Sequence, residues 1–235
     1  VYLIHDKMSG KDIMDTQVWL ILMTICGILS TSHSQESSSS STQVWKLIEI
    51  PDPTLDVIKC GRGGKKSFVC DPNNLLSTDN ADRIDSAIES LNKATDHHCP
   101  CDHLCPESGY PGYQVTVVVL PSVEGYDTAA GNGGKIQALS TATKYLSTRY
   151  NHGYCSDNIL MLMIEDGRRL DVSFGKTTQD SITQWYCPKT YMQLSASDGP
   201  EQWTEAIVDM IKSYKDVLSG KAPGRPEVMY LLYAL

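Results

Sequence analysis

Two apolar runs constrain this chain more than any other feature: residues 113–120 (YQVTVVVL) and 159–164 (ILMLMI). Neither has a polar face, so each has to be a strand covered on both sides rather than a half-exposed one. Between them, residues 135–150 place Ile136, Leu139, Tyr145 and Leu146 at helical spacing, and Asn151, His152 and Gly153 supply a stop. A strand, a helix and a second buried strand make an α/β unit. After the second run, Glu165-Asp166-Gly167-Arg168 is a tight turn, and the alternating residues 169–174 are expected to return as an antiparallel edge strand. A helix over 79–94 opens at a Ser77 cap and carries Ile84, Ala87, Ile88 and Leu91 on one face. A last helix over 200–218, introduced by Asp198, Gly199 and Pro200, carries Trp203, Ile207, Ile211, Tyr214 and Leu218. The expected fold is a three-layer α/β/α sandwich whose mixed, mostly parallel sheet ends in a β-hairpin.

The flanks are different in kind. Residues 18–29 form a twelve-residue apolar stretch followed by Ser30, Ser32 and Ser34, the pattern of a secretory signal and too short for a comfortable membrane span. Residues 1–35 are therefore read as an N-terminal extension and signal peptide. Residues 36–66 are a Ser-rich leader and a Pro/Gly-rich arm, 67–218 the folded domain, and 219–235 a linker with the apolar tail VMYLLYAL. A net charge of −8 without a Lys/Arg cluster excludes a nucleic-acid backbone as partner.

Export changes how the cysteines read. Removal of the signal leaves Cys60, Cys70, Cys99, Cys101, Cys105, Cys155 and Cys187, all disulfide candidates in an oxidising compartment. A Cys60–Cys70 bridge would clamp the loop GRGGKKS, which lacks the spacing of a phosphate loop. Cys155 with Cys187 is a plausible second pair, and the trio at 99–105 stays unresolved. With His97, His98 and His103 among them, those three cysteines leave zinc open beside an oxidised loop. Exposed aromatics would mark a partner surface, and Tyr126, Trp185, Tyr186 and Tyr191 fall in segments that read as loops.

The order DPNNLLS, amphipathic helix, VTVVVLPSVEG, helix, DNILMLMIEDGRRLDVSFG and late helix resembles the TPM domain family over about residues 67–218. The opening SFVCDP, the cysteine-rich insert and the signal resemble its nematode branch, the modulators of the levamisole receptor. That resemblance implies an extracellular auxiliary protein that binds acetylcholine-gated ion channel subunits and raises their response. It also implies a cell-surface location, with attachment to the membrane through a C-terminal helix of which residues 228–235 show only eight apolar positions; a secreted form is the alternative. The plant branch implies a rival, metal-dependent acid phosphatase chemistry, for which Asp71, Glu124, Asp127, Asp157, Glu165 and Asp166 are the available carboxylates. His152 and Ser156 do not form a recognisable dyad at their spacing, and no Asp-x-Asp, HExxH or GxSxG arrangement occurs. A non-catalytic secreted structural domain is the third reading. No cofactor is required; calcium, which relatives hold with clustered carboxylates, would fall to Asp71, Asp157 and Asp166 if it binds.

Overall fold

In the computed structural model, residues 43–95, 112–153, 156–183, 191–195 and 198–221 are described. The signal segment, most of the Ser-rich leader, the apolar tail, Trp185, Tyr186 and Cys99, Cys101, Cys105, Cys155 and Cys187 lie outside them.

The two apolar runs are central strands. β3 (Gln114–Leu120) and β5 (Asn158–Ile164) pair in parallel over seven residues, Gln114 opposite Asn158 through Leu120 opposite Ile164. On one side, short β2 (Val69–Cys70) pairs in parallel with β3. On the other, β6 (Arg169–Phe174) returns antiparallel to β5, making the expected hairpin. Beyond it lies β7 (Tyr191–Gln193), antiparallel to β6. The sheet order is β2-β3-β5-β6-β7. Two expectations are thereby corrected. The sheet is evenly mixed, with two parallel and two antiparallel pairings, rather than mostly parallel. β6 is an interior strand, because three residues too few to show any periodicity pair along its outer edge.

Alternation along the strands builds two cores. Val115, Val117, Val119, Ile159, Met161, Met163, Leu170 and Val172 face α1 (Thr78–Ala94) and α4 (Pro200–Leu218). Val118, Leu120, Leu160, Leu162 and Ile164 face α2 (Gly131–Tyr150). The three layers are therefore as expected. Each fully buried aliphatic side chain contributes about 1.5–3 kcal/mol, which explains why two strands without a polar face demand helices on both sides. α1 starts at the expected cap, where Asn80 N–H donates to the Ser77 hydroxyl oxygen at 3.2 Å. At α4 the cap is Gly199, whose N–H donates to the Gln202 side chain at 3.0 Å. A further helix, α3 (Lys176–Thr183), follows β6 directly.

Two glycines are fixed by close approach. Gly167 in the β5–β6 turn has φ +82°, and a Cβ there would stand 2.5 Å from the Tyr126 hydroxyl. Gly175 ends β6, and a Cβ would meet the Ser156 carbonyl at 2.1 Å.

The segment before β2 is part of the same body. β1 (Val44–Trp45) pairs in parallel with β4 (Ser122–Val123), and Cys60 is bonded to Cys70 as expected. The glycine-rich loop between the cysteines is held to α1 by Arg62, which donates to Asp85 at 3.1 Å and also meets Asp82. Asp85 in turn accepts from Phe68 N–H at 2.9 Å.

On the α2 side, β6 is polar, presenting Arg169 and Asp171 where its neighbours present aliphatics. Burial pushes the Asp171 carboxyl up to about 6, partly opposed by a hydrogen bond with Thr143. Because the folded value lies above the ordinary 3.8, folding favours the protonated form. Asp171 therefore costs nothing at low pH, and stability falls as pH rises from about 4 through about 6. Asp171→Asn is expected to raise stability at pH 7.5 by about 1–3 kcal/mol and to remove this part of the slope, read from urea unfolding across pH 4 to 8. Replacing both Cys60 and Cys70 by serine should cost about 3 kcal/mol, the loop-closure value for a bridge of this span, seen as a lower midpoint in calorimetry.

Candidate partner-binding surface

The carboxylates expected to gather around calcium do not converge. Asp71 follows β2, and its two oxygens accept from the N–H groups of Leu75 at 2.9 Å and Leu76 at 2.7 Å, which caps its own turn. Burial raises its pKa, with those backbone donors opposing. Asp157 precedes β5 and Asp166 follows it, so a seven-residue strand of roughly 23 Å separates them. Among the described residues no three His, Cys, Asp or Glu side chains stand close enough to hold one metal ion.

The aromatics also separate. Tyr126, expected at an exposed partner patch, is completely buried in the α2-side core, with Lys135 Nζ 4.9 Å from its ring centroid and Arg169 Cζ 5.7 Å from it. It is corrected to a core residue: the short β4 ahead of it turns the chain inward, a fold-back that local sequence does not announce. Tyr191 opens β7 opposite Asp171.

What the described surface does expose is aliphatic, and most of it lies on the arm. The large apolar residues open to solvent are Val44, Ile48, Leu55, Ile58 and, on α2, Tyr145. Leu55 and Ile58 are each 81% exposed and Ile48 64%. Scattered single exposures are ordinary, but four on one fifteen-residue stretch are a concentration.

A loose segment could carry such residues at no cost, but this one is clamped. Trp45 donates from its indole nitrogen to the Asn73 side chain at 2.7 Å, and Leu47 N–H donates to Glu124 Oε1 at 2.8 Å. From the last turn of α2, Arg149 Nη1 donates to the carbonyls of Leu47 at 2.8 Å and Ile50 at 2.9 Å. The Tyr150 hydroxyl donates to the Pro51 carbonyl at 2.8 Å, and burial raises its pKa well above the ordinary tyrosine value. Ile50 itself is buried with the α2-side core. Four of these five links are made to arm backbone, leaving the Ile48, Leu55 and Ile58 side chains outward.

His152 is the central strut. Its Nδ1 lies 2.8 Å from the Thr116 hydroxyl of β3, and its Nε2 lies 3.1 Å from Asp52 Oδ1 of the arm. Asp52 also accepts from the Thr54 N–H at 2.7 Å and hydroxyl at 2.6 Å. The set is satisfied when Nε2 carries the proton to Asp52 and Nδ1 accepts from Thr116. Carboxylate, imidazole and hydroxyl are in acid–base order, but Thr116 is buried in the middle of the sheet, so the hydroxyl is a tether rather than an accessible nucleophile. Ser156 makes no part of it: its carbonyl instead accepts from Thr177 N–H at 3.1 Å. Beside the strut is an open groove of about 320 Å³ lined by Thr54, Phe68, Gln114, Val115, Thr116, His152 and Gly153. A larger one of about 610 Å³ between α1 and α4 is rimmed by charges such as Asp82, Arg83 and Lys212.

Sequence reasoning weighed His152 only beside Ser156, because its actual partners lie 36 and 100 residues away. It passed over Ile48, Leu55 and Ile58 because they fall in a segment whose prolines leave no periodic face and which reads only as a Pro/Gly-rich arm. Arg149→Ala removes two charge-assisted bonds worth about 1.5 kcal/mol or more together. Amide exchange at Leu47 should then accelerate about tenfold or more, with β3 and β5 amides unchanged.

A search of curated proteins finds no match. Among solved structures, the chain is similar to the N-terminal domain of a protein from P. gingivalis, determined by solution NMR, at 15% identity and a TM-score of 0.43, covering 77% of this chain and 95% of that one. The family pattern of the modulator of levamisole receptor-1 matches residues 45–168, running from Trp45 of β1 through the clamped arm to the β5–β6 turn. With more than half of its length matched, the chain belongs to the modulator of levamisole receptor-1 family.

Proposed function

We propose that this protein is an extracellular auxiliary protein that binds and positively modulates a levamisole-sensitive nicotinic acetylcholine receptor, and that its arm supplies part of the contact. Family membership supports the auxiliary role on such a receptor. The observation that carries the arm's part is the clamped segment with Leu55, Ile58 and Ile48 turned to solvent, inside the family match. Fixing the backbone before binding lowers the ordering cost of association, and exposed aliphatics on a fixed backbone are suited to filling apolar depressions on a partner. The receptor subunit that accepts them belongs to this proposal, as does a cell-surface location reached by export through residues 1–35. Among the described residues no helix is long and apolar enough to cross a membrane. Membrane attachment is proposed from the apolar tail at 228–235.

Co-expression with a levamisole-sensitive receptor should enlarge agonist-evoked current. The double variant Leu55→Asp, Ile58→Asp should lose most of that gain while remaining folded and exported, because neither side chain contributes to the core. Full modulation by the folded double variant would remove the arm from the contact. Absence of any current change with the native chain would reject the receptor reading.

A further inference from the structure

The N-terminus of α2 lies beside the carboxyl end of β5, and three features meet there. The helix is twenty residues long, begins Gly131-Asn132-Gly133-Gly134, has no side-chain cap and carries no acid in its first turn. Its leading N–H groups are therefore left to outside acceptors, at the positive end of a long dipole. Gly131 and Gly133 have no atom within 4 Å of where a Cβ would be, so no packed group stands on the side-chain side of those two positions.

The second feature points to a ligand by itself. Arg169 is only 8% exposed, and no carboxylate among the described residues is within ion-pair distance of it. Its Nε donates to Gln193 at 2.7 Å and its Nη2 donates to Asn132 Oδ1, in the first turn of α2. Its Nη1 is buried without a hydrogen-bond partner. A buried guanidinium with an idle donor is costly unless a counter-charge arrives. The third feature is Lys135, one turn into the helix, whose ammonium shares the Tyr126 ring with Arg169. Two cations are thus drawn to one aromatic ring beside an uncapped helix start. The carboxylates facing them are weakly engaged: Asp166 is 3.9 Å from Lys135, and Asp171 lies two residues along β6 on the Arg169 side, paired with Thr143 instead.

We propose that Arg169, Lys135, Asn132 and the first-turn N–H groups of α2 form a binding site for a tetrahedral oxyanion, a phosphate group. Glycines at 131, 133 and 134 permit close backbone approach, Arg169 brings a buried charge with one unfilled donor beside the first turn, and Lys135 adds a second charge. The site is independent of the arm and of the receptor reading, since it lies on the opposite end of α2 from Arg149.

The phosphate comes either free or as a lipid headgroup, and two arms of one experiment separate these. In the first, the native protein is titrated with sodium phosphate at constant ionic strength, with chloride as control, and amide shifts are followed. Saturable shifts confined to Gly131, Asn132, Gly133 and the Arg169 side chain are expected with phosphate and not with chloride. In the second, the protein is sedimented with phosphatidylcholine vesicles with or without phosphatidic acid; retention only on the latter identifies a headgroup. Gly133→Asp sets a carboxylate into the anion's place, where the open space accommodates it and the helix dipole favours it, so the fold persists. It should weaken whichever binding is seen at least tenfold, and Lys135→Gln should weaken it several-fold. Binding unchanged in Gly133→Asp, shifts spread over the whole surface, or no binding in either arm would overturn the site.

Discussion

The parallel pairing of β3 with β5 is the constraint on which the rest of the structure depends. Neither strand has a face that tolerates water, so neither is stable until helices lie on both sides of the pair. A parallel pair also requires a crossover, and α2 supplies it while covering one face. The opposite face then needs apolar cover from elsewhere in the chain. That cover is α1 and α4, drawn from before β3 and after β6, with Arg83 of α1 joined to Glu201 and Glu205 of α4 across their outer edge. The outer strands are consequences: β2 and β6 satisfy the backbone groups that the central pair leaves open, and β7 does the same for the outer edge of β6.

This dependence explains which parts of the fold were legible. Long elements with one dominant periodicity were read within a few residues, because burial of a repeated face is decided locally. The α4 boundaries coincide with expectation, since Gly199 and Pro200 mark the start and the Trp203–Leu218 stripe runs unbroken to the end. The start of α2 was read four residues late, because Gly131 to Gly134 have no apolar period and low helix propensity. β2, β4 and β7, of two or three residues each, owe their conformation to the strand beside them. The even mix of the sheet followed from β7, whose pairing no local pattern announces.

Site residues were less legible for a related reason. The Cys60–Cys70 bridge was readable because both ends flank one short loop. Asp71, Asp157 and Asp166 looked alike in sequence, yet sheet topology assigns them to opposite ends of β5, and Asp71 spends its oxygens on its own turn. Tyr126 looked like a loop aromatic and is a core residue, held between two cations and the β5–β6 turn. Conversely, His152 was set aside for want of a serine partner, while its actual partners are a sheet hydroxyl and an arm carboxylate.

The polar links of the molecule divide along α2. At its carboxyl end, Arg149, Tyr150 and His152 all hold the arm, each through hydrogen bonds to named partners. At its amino end, the first turn is uncapped and Arg169 keeps one donor idle beneath it. The same helix therefore has one end whose polar groups are closed and one whose polar groups are open. Closed groups confer a fixed backbone, which is what an apolar contact surface needs. Open groups confer affinity for something that the chain itself does not supply. α2 is buried against the sheet from Leu139 to Tyr150, so that part of the helix cannot shift without disturbing β5 and β6. A ligand at the amino end and a partner on the arm would thus be held in fixed relation by one rigid helix, each adding its binding energy to the stability of the same body.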